Sequence, residues 1–146
     1  MLKALVVELR EDIAEVLKRA CDPAATHVES ASGLDQAEKA LLLHGAFDIV
    51  VISLDVGKLD ALSLLGWARR QNADGVVICV FSEMDDRVER AMRVRGASMC
   101  LPRAWVEPRL FEVLWHVQKT KLMMDRAVPE WGRRVARPFL EEERLN

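Results

Sequence analysis

The chain has 146 residues, the size of one ordinary domain, with 51% apolar and 30% charged residues and a formal net charge of −2. This charge does not indicate binding to nucleic acid, and no apolar run reaches the roughly 18 residues that a membrane-spanning helix needs. The apolar stretch near the N-terminus is too short for a signal peptide. We therefore expect a cytoplasmic protein that binds neither nucleic acid nor membrane.

Short runs rich in valine and isoleucine predict five β-strands along the chain. They lie at 3–8, 26–30, 48–54, 76–81 and 98–101. Three of these runs are apolar nearly throughout. Such runs are typical of strands that are covered on both faces in a parallel sheet.

Helices are predicted between the strands from apolar residues at helical spacing. One set is Ile13, Val16, Leu17, Ala20 and Cys21, and a later set is Ala61, Leu64, Leu65 and Ala68. Each set predicts a helix with one buried face.

Helix ends are predicted from the residue types that favour them. Ser32 and Ser82 each begin an S-x-x-D pattern and are predicted to cap the second and fourth helices. Gly96 follows a basic run and suits a helix C-terminus. Pro108 suits the first turn of a last helix over 107–124.

The alternation of five strands with helices predicts an α/β fold with three αβα layers and a five-stranded parallel sheet. In such a fold, ligands bind at the carboxyl ends of the strands, where Glu8, Ser53, Ser82 and Arg103 lie. Residues 1–124 are predicted to form this domain. Residues 125–146 are predicted to form a partly helical extension that docks on its own or a neighbouring chain.

Two segments carry a resemblance to a known family, DIVVISLDVGKLDALSLLGWAR at 48–69 and RVERAMRVRGASMCLPRAW at 87–105. Over residues 3 to about 122 the chain resembles the receiver domain of two-component response regulators. The resemblance implies the flavodoxin-like (βα)5 receiver fold and a role in phosphorelay signalling.

The positions that carry phosphoryl chemistry in this family hold other residues here. The two adjacent acids that bind Mg²⁺ in receivers correspond to Glu8 and Leu9. The aspartate that accepts the phosphoryl group corresponds to Ser53. The resemblance therefore implies a degenerate pseudo-receiver that lacks the acceptor.

Three further family positions also differ. The hydroxyl residue after the fourth strand corresponds by counting to Phe81, with Ser82 as the next residue. The lysine that contacts the phosphoryl group corresponds to Arg103, and the aromatic switch residue corresponds to Cys100.

Asp55 leaves two alternatives open at this edge. Strand alternation places Asp55 on the same side as Ser53. Either Arg103 pairs with Glu8 or Asp55 in place of phosphate and metal, or Glu8 and Asp55 retain weak Mg²⁺ binding. Ser53 itself is expected to be a small hydroxyl that satisfies backbone groups, rather than a modification site.

The last helix carries two apolar stripes. Leu110, Val113, Leu114 and Val117 are expected to face the sheet. Phe111, Trp115 and Leu122, with Trp105 nearby, form a second stripe that predicts a partner, which is the chain's own tail, a second copy or another protein. In receivers, the face built by the fourth helix, fifth strand and fifth helix is commonly the output and dimerisation surface.

The predicted function is an atypical receiver protein that acts through protein–protein interaction, without phosphorylation, cofactor, metal or enzymatic activity. A protein partner or a homodimer is expected. The alternative is a small-ligand-binding or enzymatic protein on a flavodoxin-like scaffold that uses the pocket of Glu8, Ser53, Asp55 and Arg103. The wide separation of His27, His44 and His116 along the chain makes a metal site among them improbable.

Overall fold

A computed structural model describes residues 2–71, 75–83 and 85–125, and for 121–125 it describes the backbone alone. Strands and helices alternate along the described chain. The strands are β1 (Leu2–Val7), β2 (Thr26–Ala31), β3 (Ile49–Ser53), β4 (Val76–Phe81) and β5 (Met99–Pro102). The helices are α1 (Asp12–Ala20), α2 (Leu34–His44), α3 (Lys58–Gln71), α4 (Asp86–Val94) and α5 (Val106–Asp125).

The five strands form one parallel sheet in the order β2-β1-β3-β4-β5. The predicted αβα architecture is therefore confirmed. Since β1 lies between β2 and β3, the strand order reverses there, and the carboxyl ends of β1 and β3 flank the point where ligands bind in such sheets.

Alternation of side chains along the strands divides the core into two layers. Val50 and Ile52 of β3 pack in the layer under α2 and α3, whereas Ile49 and Val51 pack under α1 and α5. Every residue of β3 and β4 is buried, as expected for strands covered on both faces.

The predicted helix faces are largely correct. Ala61, Leu64, Leu65 and Ala68 of α3 are buried, and so are Leu110, Val113, Leu114 and Val117 of α5. Pro108 lies in the first turn of α5, where a missing backbone N–H costs no helical hydrogen bond. None of the helices in the described ranges is both long and apolar enough to cross a membrane.

Two predicted helix caps are wrong. The N-cap of α2 is Gly33 without a side-chain bond, and the Ser32 N–H instead donates to Gln36 Oε1 at 2.9 Å. The N-cap of α4 is Asp85 rather than Ser82, with its Oδ1 3.0 Å from the Arg87 nitrogen. An aspartate caps a helix as well as a serine does, and at α4 the acid of the S-x-x-D pattern, Asp85, is the residue that caps the helix.

The end of α4 is fixed by Gly96, as predicted. Gly96 has a φ of 109°, and its N–H donates to the Arg93 carbonyl while the Ala97 N–H donates to the Met92 carbonyl. This is the Schellman arrangement, which satisfies carbonyls at the end of the helix. The Arg69 guanidinium binds the Gly96 carbonyl from α3, with Nη2 at 2.6 Å.

Candidate functional site

Polar side chains from three strand ends meet at the carboxyl edge of the sheet. Glu8 directly follows β1, Ser53 is the last residue of β3, and Arg103 directly follows β5 in a short 3-10 turn. Asp55 lies in another 3-10 turn, Leu54–Val56, that follows β3. The parallel topology explains the meeting, because strand ends from distant parts of the sequence lie side by side.

Arg103 makes polar contacts with three side chains of this edge. Its Nη2 lies 3.2 Å from Ser53 Oγ and 3.3 Å from Asp55 Oδ2. Its Nη1 lies 3.4 Å from Asp12 Oδ2, in the first turn of α1. The positive charge of the guanidinium is therefore compensated by two carboxylates of the same chain.

Ser53 is buried, and its hydroxyl oxygen accepts from Arg103 and, at 3.5 Å, from the Asp55 N–H. The hydrogen bonds of the described residues include none between Ser53 Oγ and a carboxylate. A serine hydroxyl is un-ionised at neutral pH and needs a base to become a nucleophile. The contacts agree with the expected role of Ser53 as a hydroxyl that satisfies groups at a strand end.

Asp55 uses both carboxylate oxygens within the chain. Oδ2 faces Arg103, and Oδ1 accepts from the Leu9 N–H at 3.3 Å. Of the two partners proposed for Arg103, Asp55 is the one in contact. Leu9 contributes only its backbone, and its side chain points to solvent.

Glu8 is buried and binds the start of α1. Both of its carboxylate oxygens lie 3.1 Å from the Ile13 nitrogen. The pKa of Glu8 is raised, mainly by burial. The hydrogen bond from Ile13 and the charge of Arg103 oppose this shift, whereas the charges of Asp12 and Asp55 add to it. Glu8 therefore acts as a helix-capping carboxylate.

The carboxylates of this edge do not fit a Mg²⁺ site. Mg²⁺ requires octahedral coordination with carboxylate oxygens that are free to bind it. Here Glu8 caps α1, Asp55 and Asp12 face the Arg103 cation, and an apolar side chain extends from Leu9. The arrangement neutralises the fixed positive charge without a metal or an anion.

Beside this edge, Phe81 and Cys100 are buried apolar residues. Phe81 ends β4 opposite Pro102, and Ser82, the residue after it, is exposed. Cys100 lies opposite Cys79 on the neighbouring strand, and the hydrogen bond between the two thiols and then burial raise the pKa of Cys79. The Cys79 thiol is therefore un-ionised at neutral pH.

No protein-family model matches the sequence, and no curated protein matches it significantly. Solved structures do match its fold. A response regulator from Burkholderia pseudomallei, crystallised with a phosphorylated aspartic acid and a calcium ion, superposes with a TM-score of 0.64 at 19% identity, over 87% of this chain and 74% of that one. A response regulator from Thermotoga maritima gives 0.67 at 18% identity, over 80% and 97%.

A third match is the receiver domain of the Francisella response regulator 1452, with a TM-score of 0.66 at 21% identity over 83% of this chain and 99% of that one. The chain has the receiver fold. Identities this low show the fold alone. On this fold, Glu8, Ser53 and Arg103 lie at the carboxyl edge of the sheet.

The second stripe of α5 is exposed on the receiver fold. Phe111 and Trp115 lie on the solvent side of α5, and Trp105 is exposed in the turn that precedes it. Lys119 Nζ lies 4.9 Å from the centre of the Trp115 ring. The side chain of Leu122, and the predicted extension after Asp125, lie outside the described residues.

Two features of the structure were missed by the sequence reasoning. Asp12 contacts Arg103, and the only feature of the sequence that could have indicated this is that Asp12 is an acid four residues after Glu8. His27 and His44 meet at Glu29, although their separation along the chain gave no indication that they would come together. His116 belongs to α5 and is not in this group.

Proposed function

We propose that this protein is an atypical receiver in two-component or phosphorelay signalling that works through protein–protein interaction and accepts no phosphoryl group. The observation that carries the proposal is Arg103, which is already paired with Asp12 and Asp55 and bonded to Ser53. The likeness to solved receivers supports the signalling role.

The chemistry of aspartyl phosphorylation needs three parts, an ionised carboxylate nucleophile, a divalent cation and a fixed positive charge. In the Burkholderia pseudomallei regulator an aspartic acid is phosphorylated. In this chain, the strand end that the family resemblance aligns with the acceptor aspartate carries the Ser53 hydroxyl, and its neighbouring acids are engaged by Arg103 and by α1. Of the three parts, only the fixed positive charge of Arg103 is left, and its counter-ions are Asp12 and Asp55 of the same chain.

The test exposes the full chain to acetyl phosphate, and separately to beryllofluoride, each with Mg²⁺. We expect no mass increase and no change in the fluorescence of Trp67 or Trp105. The variant Ser53→Asp restores a carboxylate at the strand end, and a receiver that accepts phosphate verifies the reagents. A stoichiometric mass increase of the wild-type chain would refute the proposal.

We further propose that a protein partner binds an aromatic surface formed by Trp105, Phe111 and Trp115. Exposed aromatic side chains on a helix and on the turn before it are typical of binding hot spots, because burying them on a partner removes a large apolar area from water. Lys119 beside Trp115 adds a positive charge to this surface, which favours a partner with acidic residues around an apolar pocket.

Trp115→Glu tests the aromatic surface. It places a charge on this surface and should weaken partner binding or self-association at least about 30-fold, which corresponds to about 2 kcal/mol. Leu42→Glu is the matched control, since Leu42 is also an exposed apolar residue but lies on α2. Sizing by light scattering separates a homodimer from a different partner. Equal effects of the two substitutions would contradict the proposal.

The absence of enzymatic activity and of a bound cofactor is part of this proposal. A thermal-shift screen with nucleotides, flavins and metal ions tests the small-ligand alternative at the Arg103 edge. Stabilisation by a nucleotide or flavin that disappears in Arg103→Met would favour that alternative over a protein-interaction module.

A further inference from the structure

Three side chains with metal-binding atoms converge at the amino-terminal side of β2. His27 Nε2 lies 2.7 Å from Glu29 Oε1, and His44 Nε2 lies 3.1 Å from the same oxygen. The three ligand atoms all lie within 4.8 Å of one another. The side chains are 31–41% exposed, so an ion and a water molecule can reach them.

The backbone fixes this group from two elements. His27 and Glu29 are two residues apart on β2 and therefore project from the same face of the strand. His44 is the last residue of α2, which ends at Gly45 with a φ of 71°. Because helices run antiparallel to the strands in this fold, the end of α2 returns to the start of β2, opposite the edge that holds Arg103.

His44, at the end of α2, is also positioned by ring packing and by one backbone hydrogen bond. Its ring lies 5.3 Å from the His27 ring and 6.1 Å from the buried Phe47 ring, measured between centroids. Lys3 Nζ donates to the His44 backbone carbonyl at 3.1 Å. One of the three N–H donors of this lysine is therefore bound to the backbone, while His44 Nε2 faces Glu29.

The donor set of two imidazoles and one carboxylate is one that zinc prefers. Tetrahedral zinc with bonds of about 2.0–2.1 Å places neighbouring ligand atoms about 3.3 Å apart. The separations of 2.7 and 3.1 Å need to widen by about 0.6 and 0.2 Å, and the third separation, between the two imidazole nitrogens, is at most 4.8 Å. Rotation of the partly exposed Glu29 side chain supplies the widening. Each neutral imidazole then carries its proton on Nδ1 and presents Nε2 to the metal.

We propose that His27, Glu29 and His44 form a zinc-binding site with three protein ligands and a fourth position open to water. The site joins the edge strand β2 to the end of α2. It is independent of the function proposed for the Arg103 edge, since the two groups lie at opposite ends of the strands.

The test is a titration of the metal-free full chain with zinc chloride by calorimetry, together with a thermal-shift measurement. We expect saturable binding of one ion per chain and a higher melting temperature. His27→Gln and His44→Gln each remove a ligand and should weaken zinc binding at least about tenfold. His116→Gln is the matched control and should bind zinc like the wild type. The three cysteines are buried and do not compete.

Imidazole nitrogen NMR spectra of the wild-type chain provide a measurement that needs no variant. Zinc should shift the Nε2 signals of His27 and His44 and leave those of His116 in place. The proposal is overturned if the wild type shows no saturable binding, if both glutamine variants bind zinc as tightly as the wild type, or if the two Nε2 signals do not respond.

Discussion

The Arg103 contacts make a quantitative prediction for two ion pairs that share one guanidinium. The distances from the guanidinium nitrogens to the carboxylate oxygens are almost equal, at 3.3 Å to Asp55 and 3.4 Å to Asp12. Their environments differ, because the Asp55 side chain is 22% exposed and the Asp12 side chain is 64% exposed. Arg103→Met removes the charge and keeps the apolar stem. Asp55→Asn and Asp12→Asn each remove one partner's charge.

The expected coupling energies follow from solvent exposure. Two unit charges about 3.3 Å apart attract by about 5 kcal/mol at an effective dielectric constant of 20, before desolvation and side-chain ordering are subtracted. For exposed pairs such as Asp12 and Arg103, the net value falls to about 0.5 kcal/mol or less. For the more buried Asp55, a charge-assisted hydrogen bond leaves about 1.5 kcal/mol.

The assay is urea unfolding at pH 7 of the wild type, the three single variants and the two double variants. Double-mutant cycles then give the coupling of Arg103 with each acid. Added salt should reduce the Asp12 coupling more than the Asp55 coupling, because screening acts mainly on exposed charges. Equal couplings, or a larger one for Asp12, would refute the conclusion that Asp55 is the main internal counter-ion of Arg103.

Four other substitutions test local parts of the fold. Burial raises the pKa of Glu8 in the folded state, so its stabilising contribution is complete below the unfolded pKa of about 4.3 and is lost as pH rises through the folded pKa. The melting temperature of Glu8→Gln relative to wild type should therefore rise from pH 4 to pH 7, and a pH-independent difference would contradict this. Gly96→Ala should cost about 1–3 kcal/mol in urea unfolding, because alanine is strained at a φ of 109° and its Cβ would lie 3.0 Å from Arg69 Cγ; a neutral effect would argue against the Schellman arrangement. Asp85→Ala should cost about 1 kcal/mol by the same assay, whereas Ser82→Ala should cost almost nothing if Asp85 alone caps α4.

The sheet and the buried helix faces were predictable because they depend on local periodicity. A run such as VVICVF in β4 is apolar at every position because both faces of the strand are covered. The sheet-facing stripe of α5 appears in the spacing of Leu110, Leu114 and Val117. The predicted ends of the strands differ from the observed ones by at most one residue, and those of β4 agree. Glu8, for example, leaves β1 to cap α1.

The details of the site were less predictable because they depend on contacts between distant residues. Asp12 and Arg103 are 91 residues apart in the chain, and no local pattern joins them. The predicted position of Asp55 is correct, but the reason is a 3-10 turn after Ser53 rather than continued strand alternation. The group at Glu29 forms only because α2 returns His44 to the strand that carries His27.

The two edges of the sheet differ in their capacity for strand pairing between molecules. At one edge, β5 has only four residues and ends at Pro102, which has no N–H to donate. A further strand added there would gain few ladder hydrogen bonds, so this edge is protected against edge-to-edge aggregation. At the other edge, β2 has six residues, and the polar His27 and Glu29 take the place of apolar side chains that would promote stacking. Crowding or overexpression should therefore not drive these molecules into fibrils through their sheet edges.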